Sequence, residues 1–387
     1  HNEKFMDKHA LFSTFRLRLS LGESGSQQFA PYQARSMYSF STESRYLVWT
    51  STELMGLGNE KLSWQTTIQY NAGMDVELFN GRLLAGVDCF YKKTRDLLST
   101  IDLKLVHGFN GYTENIGSTE NVGYEAMLGG YILRNSGVGL TWNVTGKLAY
   151  TRNKILTLSD ELKRETEKRR QTSEYGTLFY EGRSQNSIYA VRSLGINPAD
   201  GKELFLDAEG NVTETWDPAY RVYCGVGEPT YRGSLNSLIS YKNLSFNLSF
   251  GFHWGGKQYN STLLDKVEVP VGLEGSGVEQ SIINNVDNRV FTERWQKPGD
   301  YKFFKGYSDK ATRSSSRFVM DDQAFQLQSL SLQYGWRTGF VQKVLHAETV
   351  NVSVNMSDLF YLSSIKRERG TDYPFANNIQ FALSVIF

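Results

Sequence analysis

The stretch from Leu62 to Leu98 constrains this chain most, because its turn and its side-chain pattern can be checked against each other. Before Asn80-Gly81, Thr66, Ile68, Tyr70, Ala72, Met74, Val76 and Leu78 form one mostly apolar series, and Gln65, Thr67, Gln69, Asn71, Asp75 and Glu77 fill the positions between. Alternation at period two marks a strand with two unlike faces. Asn-Gly is the strongest two-residue hairpin signal, since both central positions of the tight turn need positive φ. A turn there sets Phe79 opposite Arg82 and then dictates Leu78 with Leu83, Val76 with Ala85, Met74 with Val87, Ala72 with Cys89 and Tyr70 with Tyr91. Each of these last five pairs is apolar or aromatic, whereas a slip of one residue would scatter them across both faces. Both strands exceed the roughly 9–11 residues that cross a bilayer.

The same logic recurs along the chain. Leu235, Ser237, Ile239 and Tyr241 lead to Lys242-Asn243, and Leu244, Phe246, Leu248, Phe250 and Phe252 follow, pairing Tyr241 with Leu244, Ile239 with Phe246 and Leu235 with Phe250. The opposite face carries Ser234, Asn236, Ser240, Ser245, Asn247 and Ser249, which suit a wet lumen. Between Phe325 and Leu332 the phase slips around Ser329, which predicts a bulge. The chain closes on Ile379, Phe381, Leu383, Val385 and Phe387, apolar at every second position, with Gln380, Ala382 and Ser384 between them. A strand ending on an aromatic residue looks like the terminal strand by which outer-membrane barrels are recognised for assembly, so Phe381, Leu383, Val385 and Phe387 are the candidate assembly signal. In such a barrel, apolar means lipid-facing and polar means lumen-facing.

Composition agrees with many strands joined by flexible turns: 22 Tyr and 23 Phe, 35 Gly and 7 Pro. A formal net charge of +1 offers no argument for a nucleic-acid partner. Mean hydropathy is −0.42. No apolar run approaches the roughly 18 residues of a membrane helix. A barrel needs no such run, because it exposes apolar groups at alternate positions only. Cys89 and Cys224 are too few for a disulfide framework, and Cys89 sits on an apolar face as a small hydrophobe. The chain opens at His1 without Met, signal peptide or lipidation motif, so it is expected to be a piece cut from a longer barrel.

Turn lengths are unequal. Those at Asn80-Gly81, Lys242-Asn243 and Asn135–Gly139 are short, while Glu23–Lys61, Ser99–Ser118, Leu158–Thr230, Trp254–Asp322 and Asp358–Asn377 are long. Outer-membrane barrels have short periplasmic turns and long extracellular loops, so the two kinds should alternate. Upward strands are predicted at Phe12–Gly22, Arg82–Leu98, Leu140–Leu156, Leu244–His253 and Val350–Met356. Downward strands are predicted at Leu62–Phe79, Glu120–Leu133, Arg232–Tyr241, Phe325–Trp336 and Ile379–Phe387. That makes about ten crossings with every short turn on one side. Gln185–Ile196 also has strand character, and parity assigns it to a long loop as a strand extension above the membrane. Asp160–Arg170, with Lys163/Glu167 and Glu165/Arg169 at i,i+4 spacing, predicts a solvated helical turn.

Several short motifs add a family resemblance. They are Leu62-Ser-Trp64-Gln, Gln69-Tyr-Asn, the run from Phe90 through Leu97, Gly195-Ile-Asn-Pro-Ala-Asp-Gly201, Trp254-Gly-Gly-Lys-Gln-Tyr-Asn260, Arg294-Trp-Gln-Lys-Pro-Gly-Asp300, Ser315-Ser-Arg-Phe-Val319 before Leu327 and Leu330, and Asp358-Leu-Phe360 before Tyr373-Pro374. Their order and spacing resemble SusC/RagA-type TonB-dependent outer-membrane transporters over nearly the whole chain. The resemblance implies an all-β antiparallel transmembrane barrel of about 22 strands, of which residues 1–387 are the C-terminal portion. The plug domain and first strands would lie upstream. It also implies uptake of an oligosaccharide or peptide substrate together with a SusD-type surface lipoprotein, and energy coupling to TonB through the missing N-terminal region.

No hydrolase, kinase, P-loop or dinucleotide motif occurs, so neither an enzymatic activity nor a cofactor is expected. The five histidines have no metal-ligand spacing, and His253, where a strand meets a long loop, is expected to be a lumen or rim residue rather than a ligand. Asp207-Ala-Glu-Gly-Asn211 is too short for a calcium loop and predicts a polar hairpin turn. The long loops are rich in aromatics, including Tyr175, Phe179, Tyr180, Tyr189, Tyr223, Phe303, Phe304 and Tyr307. Aromatic rings beside polar groups suit sugar rings and protein contacts alike. Trp216, Tyr220, Tyr259 and Trp295 are the candidate substrate or partner residues of these loops. Two other readings stay open on sequence alone: a passive porin or structural barrel, and a soluble glycan-binding β protein of the cell surface.

Overall fold

The computed structural model describes residues 12–27, 29, 33–46, 49–102, 109, 111–134, 137–172, 177–268, 288–306, 312–337, 339–344, 346–366 and 377–387. Its centre is one ten-stranded sheet in which every hydrogen-bonded neighbour is also the next sheet strand in sequence. The strands are β1 (Phe12–Ser26), β2 (Gln65–Leu78), β3 (Leu83–Arg95), β4 (Gly117–Leu133) and β5 (Leu140–Leu158). They continue as β6 (Tyr231–Tyr241), β7 (Leu244–Tyr259), β8 (Val319–Trp336), β9 (Thr349–Ser363) and β10 (Asn378–Ile386). Each predicted crossing has its strand, and adjacent strands run antiparallel throughout. None of the described helices is long and apolar enough to span a membrane.

The predicted register holds in detail. Leu78 pairs with Leu83, Val76 with Ala85, Met74 with Val87, Ala72 with Cys89 and Tyr70 with Tyr91. Tyr241 pairs with Leu244, Ile239 with Phe246 and Leu235 with Phe250. The turn that sets the first register is wider than the expected two residues: Phe79 (φ 54°), Asn80 (53°) and Gly81 (75°) are all left-handed. The Arg82 amide donates to the Leu78 and Phe79 carbonyls at 3.1 and 3.3 Å. The parity is unchanged, so the pairing survives. In β8 the register shifts between Leu327 and Ser329, leaving Gln328 as the extra residue at the predicted phase slip. The Asn135–Gly139 turn is described only from Gly137 onward.

The two faces of the sheet differ sharply. One carries rows such as Leu17–Met74–Val87–Ala126–Leu148 and Val352–Leu383, and it is apolar yet open to the surroundings. Leu19 is 85% exposed and Phe381 75%. The other carries Arg16, Arg18, Asp75, Asp88, Asn71 and Ser20. Arg18 ion-pairs with Asp75 and, at 2.9 Å, with Asp88. Gly73 lies between Arg18 and Asp88 in the register, and a Cβ there would collide with the Asp88 carboxylate.

The fully buried apolar side chains lie mostly outside the sheet, in the long connections. Leu263, Leu264, Val267, Val290, Phe304 and Phe318 form one cluster, with Tyr259 and Met320 packed against it. These connections have secondary structure of their own. The hairpins Met37–Tyr46/Trp49–Gly56 and Leu98–Asp102/Gly111–Asn115 extend two of them. In the β5–β6 connection, Asp160–Thr172 is helical, as predicted. Glu165 meets Arg169 at 3.3 Å, but Lys163 pairs with Glu181 at 2.9 Å rather than with Glu167. Strands Ser187–Val191 and Ser193–Ile196 lie in this long connection, as expected, but they do not extend the barrel: the first pairs with Arg221–Val226 and the second with Glu203–Leu206, so loop partners satisfy their backbones locally. At the short-turn end, a helix at Gly339–Val344 tucks Val341 against Ala347 and Val350.

Candidate functional site

The β5–β6 and β7–β8 connections stand at the same end of the sheet and are fused by a buried charge cluster. Arg317 follows directly after Ser315-Ser316 and enters β8 through the short turn Ser316–Phe318. Its guanidinium reaches Glu203 at 2.8 Å and Glu268 at 2.9 Å. Side-chain exposure is 4% for Arg317, 6% for Glu203 and 0% for Glu268. The remaining polar atoms are also occupied: Ser315 Oγ donates to Glu203 at 2.6 Å, and Arg317 Nη1 donates to the Phe303 carbonyl at 2.6 Å. The ring of Phe318 lies under the guanidinium at 4.6 Å. Burial lowers the Arg317 pKa, but hydrogen bonds and charge from both carboxylates outweigh this and hold it above the ordinary guanidinium value. Arg294, buried beside it, donates to the carbonyls of Val267 (2.9 Å) and Glu268 (2.7 Å).

Three of the four candidate loop aromatics, Trp295, Trp216 and Tyr259, contact segments that carry this cluster, whereas the Tyr220 turn packs beside the helix Asp160–Thr172. Trp295 donates its indole N–H to the Pro198 carbonyl at 2.9 Å, and its ring covers Gly201, where a Cβ would strike it. The Trp295 segment thereby locks onto the turn Gly195–Gly201, and Gly299 also donates to Pro198, at 2.8 Å. Trp216 donates to the Ser314 carbonyl at 2.8 Å, with Arg313 stacked 5.7 Å from its ring. Tyr259 ends β7 against Phe318, ring centres 6.2 Å apart. Tyr220 closes a short turn capped by Asp217, half-buried, and the next residue, Arg221, donates to the Arg169 carbonyl at 2.6 Å. All four are partly buried and belong to the cap. Tyr175 and Tyr307 lie outside the described residues.

Sequence reasoning passed over two aromatics that project from the same cap: Tyr301, 87% exposed, and Phe291, 57% exposed. Tyr301 follows the Pro298-Gly299-Asp300 turn, and that placement was the available signal. The cluster of Glu203, Glu268 and Arg317 was also unforeseen, although Arg317 sits inside a motif singled out for its spacing. His253 lies where the barrel meets the cap, 3.0 Å from Asp322. Asp207 makes the predicted polar turn, accepting from the Glu209 and Asn211 amides at 3.0 and 2.7 Å. Those amides pull its pKa below the ordinary aspartate value. Cys89 and Cys224 are free thiols. Among the described residues, no group of three or more His, Cys, Asp or Glu is placed to hold a metal.

Neighbour-to-neighbour antiparallel pairing, an apolar outer face and ordered loops at one end define the class: an outer-membrane β-barrel. A family profile described as TonB dependent receptor-like, beta-barrel, matches residues 9–262. The chain belongs to that family. TonB-dependent receptor P3 of Formosa agariphila is 27% identical over 97% of the chain and 37% of the relative. TonB-dependent receptor SusC of Bacteroides thetaiotaomicron is 27% identical over 69% of the chain and 28% of the relative. Among solved structures, the RagAB peptide transporter superposes with a TM-score of 0.76 at 22% identity, over 94% of this chain and 39% of that one. The RagAB importer in its 'open-open' state also gives 0.76, at 19% identity. These superpositions establish the shared fold. The chain thus spans less than two fifths of the relatives named first in each comparison.

Proposed function

We propose that residues 1–387 are the C-terminal portion of the barrel of a SusC/RagA-type importer. The whole protein carries a glycan or peptide across the outer membrane with a SusD-type surface lipoprotein, and it draws energy from TonB through a region upstream of this chain. The observation that carries this reading is the fused cap. Two long loops, tied through Glu203, Arg317 and Glu268, present an ordered surface above the barrel. Loops longer than roughly 12–15 residues are usually functional or disordered, and a buried ion cluster argues for the first. Support for a peptide cargo comes from the structural neighbours, the RagAB peptide transporter and importer. The aromatic cap suits sugar rings equally well.

In this reading Trp216, Tyr220, Tyr259 and Trp295 shape the surface that meets substrate or partner, and the projecting Tyr301 and Phe291 contact the lipoprotein directly. The docked area would exceed the roughly 1,600 Å² of a standard interface. Co-purification of the full-length protein with its lipoprotein in mild detergent is the direct test, followed by uptake assays with labelled oligosaccharides and peptides. A full-length protein that purifies alone, and still transports after both loops are trimmed, overturns the proposal in favour of a passive barrel.

The assembly signal is proposed at Phe381, Leu383, Val385 and Phe387, whose side chains lie exposed on the apolar face of the last strand. Deleting Phe387 from the full-length protein should lower the outer-membrane level while synthesis continues. Fractionation with immunoblotting checks this, and unchanged membrane levels would count against it.

A further inference from the structure

Two hollows on the apolar face of β1–β6 run into each other and differ in chemistry. The lower one, about 650 Å³, lies over Ala72 and Cys89. These small residues pair across β2 and β3, and the rows on either side carry bulkier Tyr70–Tyr91 and Met74–Val87. The upper one, about 510 Å³, shares Val122 and Tyr124 with it and rises towards the long-loop end past Tyr150, Arg152 and Lys154.

An aromatic row crosses the boundary between the two. Tyr124 and Tyr150 are 5.7 Å apart, Tyr150 and Tyr231 5.2 Å, and Tyr231 stacks on Trp254 at 5.1 Å. Such a row on the outside of a barrel marks the level of the lipid headgroups. Immediately beyond it the apolar face turns basic. Lys93, Glu120 and Lys154 lie in one register row, and Arg152 lies in the row below, across from Val122. Glu120 is held by the Tyr91 hydroxyl at 3.2 Å and by Lys154 at 3.9 Å. The same row continues across Ile68 to Glu23, so two carboxylates stand against three cations, and Arg152 is exposed and in no ion pair among the described residues.

From this geometry we propose a site for an anionic lipid with a phosphate-bearing headgroup, on the outer face at the long-loop end. The phosphate lies against Arg152, Lys154 and Lys93, and an acyl chain descends past Tyr124 into the hollow over Ala72 and Cys89. From Cys89 to Lys93 is about 13 Å along the strand, which leaves room for a headgroup above the aromatic row and a chain below it. A neutral lipid would use the hollow but leave the excess positive charge unmet at a level where water is scarce. Basic residues near a membrane surface favour anionic lipids for that reason. The site does not depend on the import reading.

The test uses the full-length protein in detergent micelles. Its probes are phosphorylated lipid A, the same lipid after phosphatase treatment, and inorganic phosphate. Retained lipid is measured by native mass spectrometry after delipidation, and heat-modifiable gel migration reports folding. The wild-type protein should hold the phosphorylated lipid. An Arg152→Ala/Lys154→Ala double variant should hold about tenfold less or lower still, and Arg152→Lys/Lys154→Arg should restore it. Cys89→Trp, which fills the hollow without altering charge, should also lower retention. Should a variant fail to insert, a photoreactive acyl lipid bound to the wild-type protein should crosslink within residues 19–21 or 70–154. Equal retention by the alanine double variant, equal binding of dephosphorylated lipid, displacement by inorganic phosphate, crosslinks confined to other strands, or a second copy of the protein covering this face would each overturn the site.

Discussion

The barrel wall and the loop cap of this chain put the same residue types to opposite use. In the wall, Leu, Val and Phe point outward and remain exposed, while Arg18, Asp75 and Asp88 meet on the other face. In the cap, Phe304, Phe318 and Val267 are buried and pack around a charge cluster that is buried too. The difference teaches that exposure has no meaning apart from solvent. The wall is stable because lipid takes the place of a core, whereas the cap stands in water and must build its own. A buried ion triad of this kind is weak evidence of stability by itself, but removing one member leaves uncompensated charge.

The comparison breaks most visibly at the cap. Arg317→Ala strands Glu203 and Glu268 in an apolar setting and should cost about 3–5 kcal/mol. The damage should be local: limited proteolysis should cut the loops early while heat-modifiable migration of the barrel persists. Loss of both together would show that wall and cap are one cooperative unit. The wall answers to a different substitution. Val87→Arg, on the lipid side, should cost about 2–4 kcal/mol near the midplane, while Asn236→Arg on the opposite face should cost far less. Urea titration of refolding into vesicles would separate the two, and equal costs would refute the assigned sidedness.

Two smaller effects sharpen the contrast within the cap. Trp295→Phe keeps the ring over Gly201 but removes the donor to Pro198, a loss of about 1 kcal/mol that should appear as faster hydrogen exchange at Gly299. The smallest effect concerns the Asp207 turn. Backbone amides hold the folded pKa of this carboxylate below its unfolded value. The stabilisation is therefore complete above the ordinary aspartate value of about 3.9 and disappears as pH falls through the lower folded value. Amide chemical shifts of Glu209 and Asn211 in an acid titration should move together, below that ordinary range; movement above it would contradict the assignment.

The wall was legible in the sequence and the cap largely was not, for a physical reason. In the wall each residue's partner follows from the turn and from a period of two, so Asn80-Gly81 sufficed to place Tyr70 beside Tyr91. Even the misjudged width of that turn left the pairing intact, and the phase slip near Ser329 located the bulge at Gln328. In the cap, Glu203, Glu268 and Arg317 come from separate segments with no shared period, so neither their meeting nor their burial could be inferred. Strand character at Ser187–Val191 was visible, but its partner Arg221–Val226 was not, because a loop strand lacks a neighbouring tight turn to fix its register.

The Arg317 cluster has one more consequence, in the entropy of association. A surface made of slack loops loses conformational freedom when something settles on it, about 0.5–1.5 kcal/mol for each long side chain immobilised. Here the guanidinium, two carboxylates and the Trp295 clasp have already removed much of that freedom during folding. A molecule arriving at the cap therefore meets a shape that does not have to be assembled at the moment of contact. Loosening the cluster would weaken such a complex without deleting any atom that touches it.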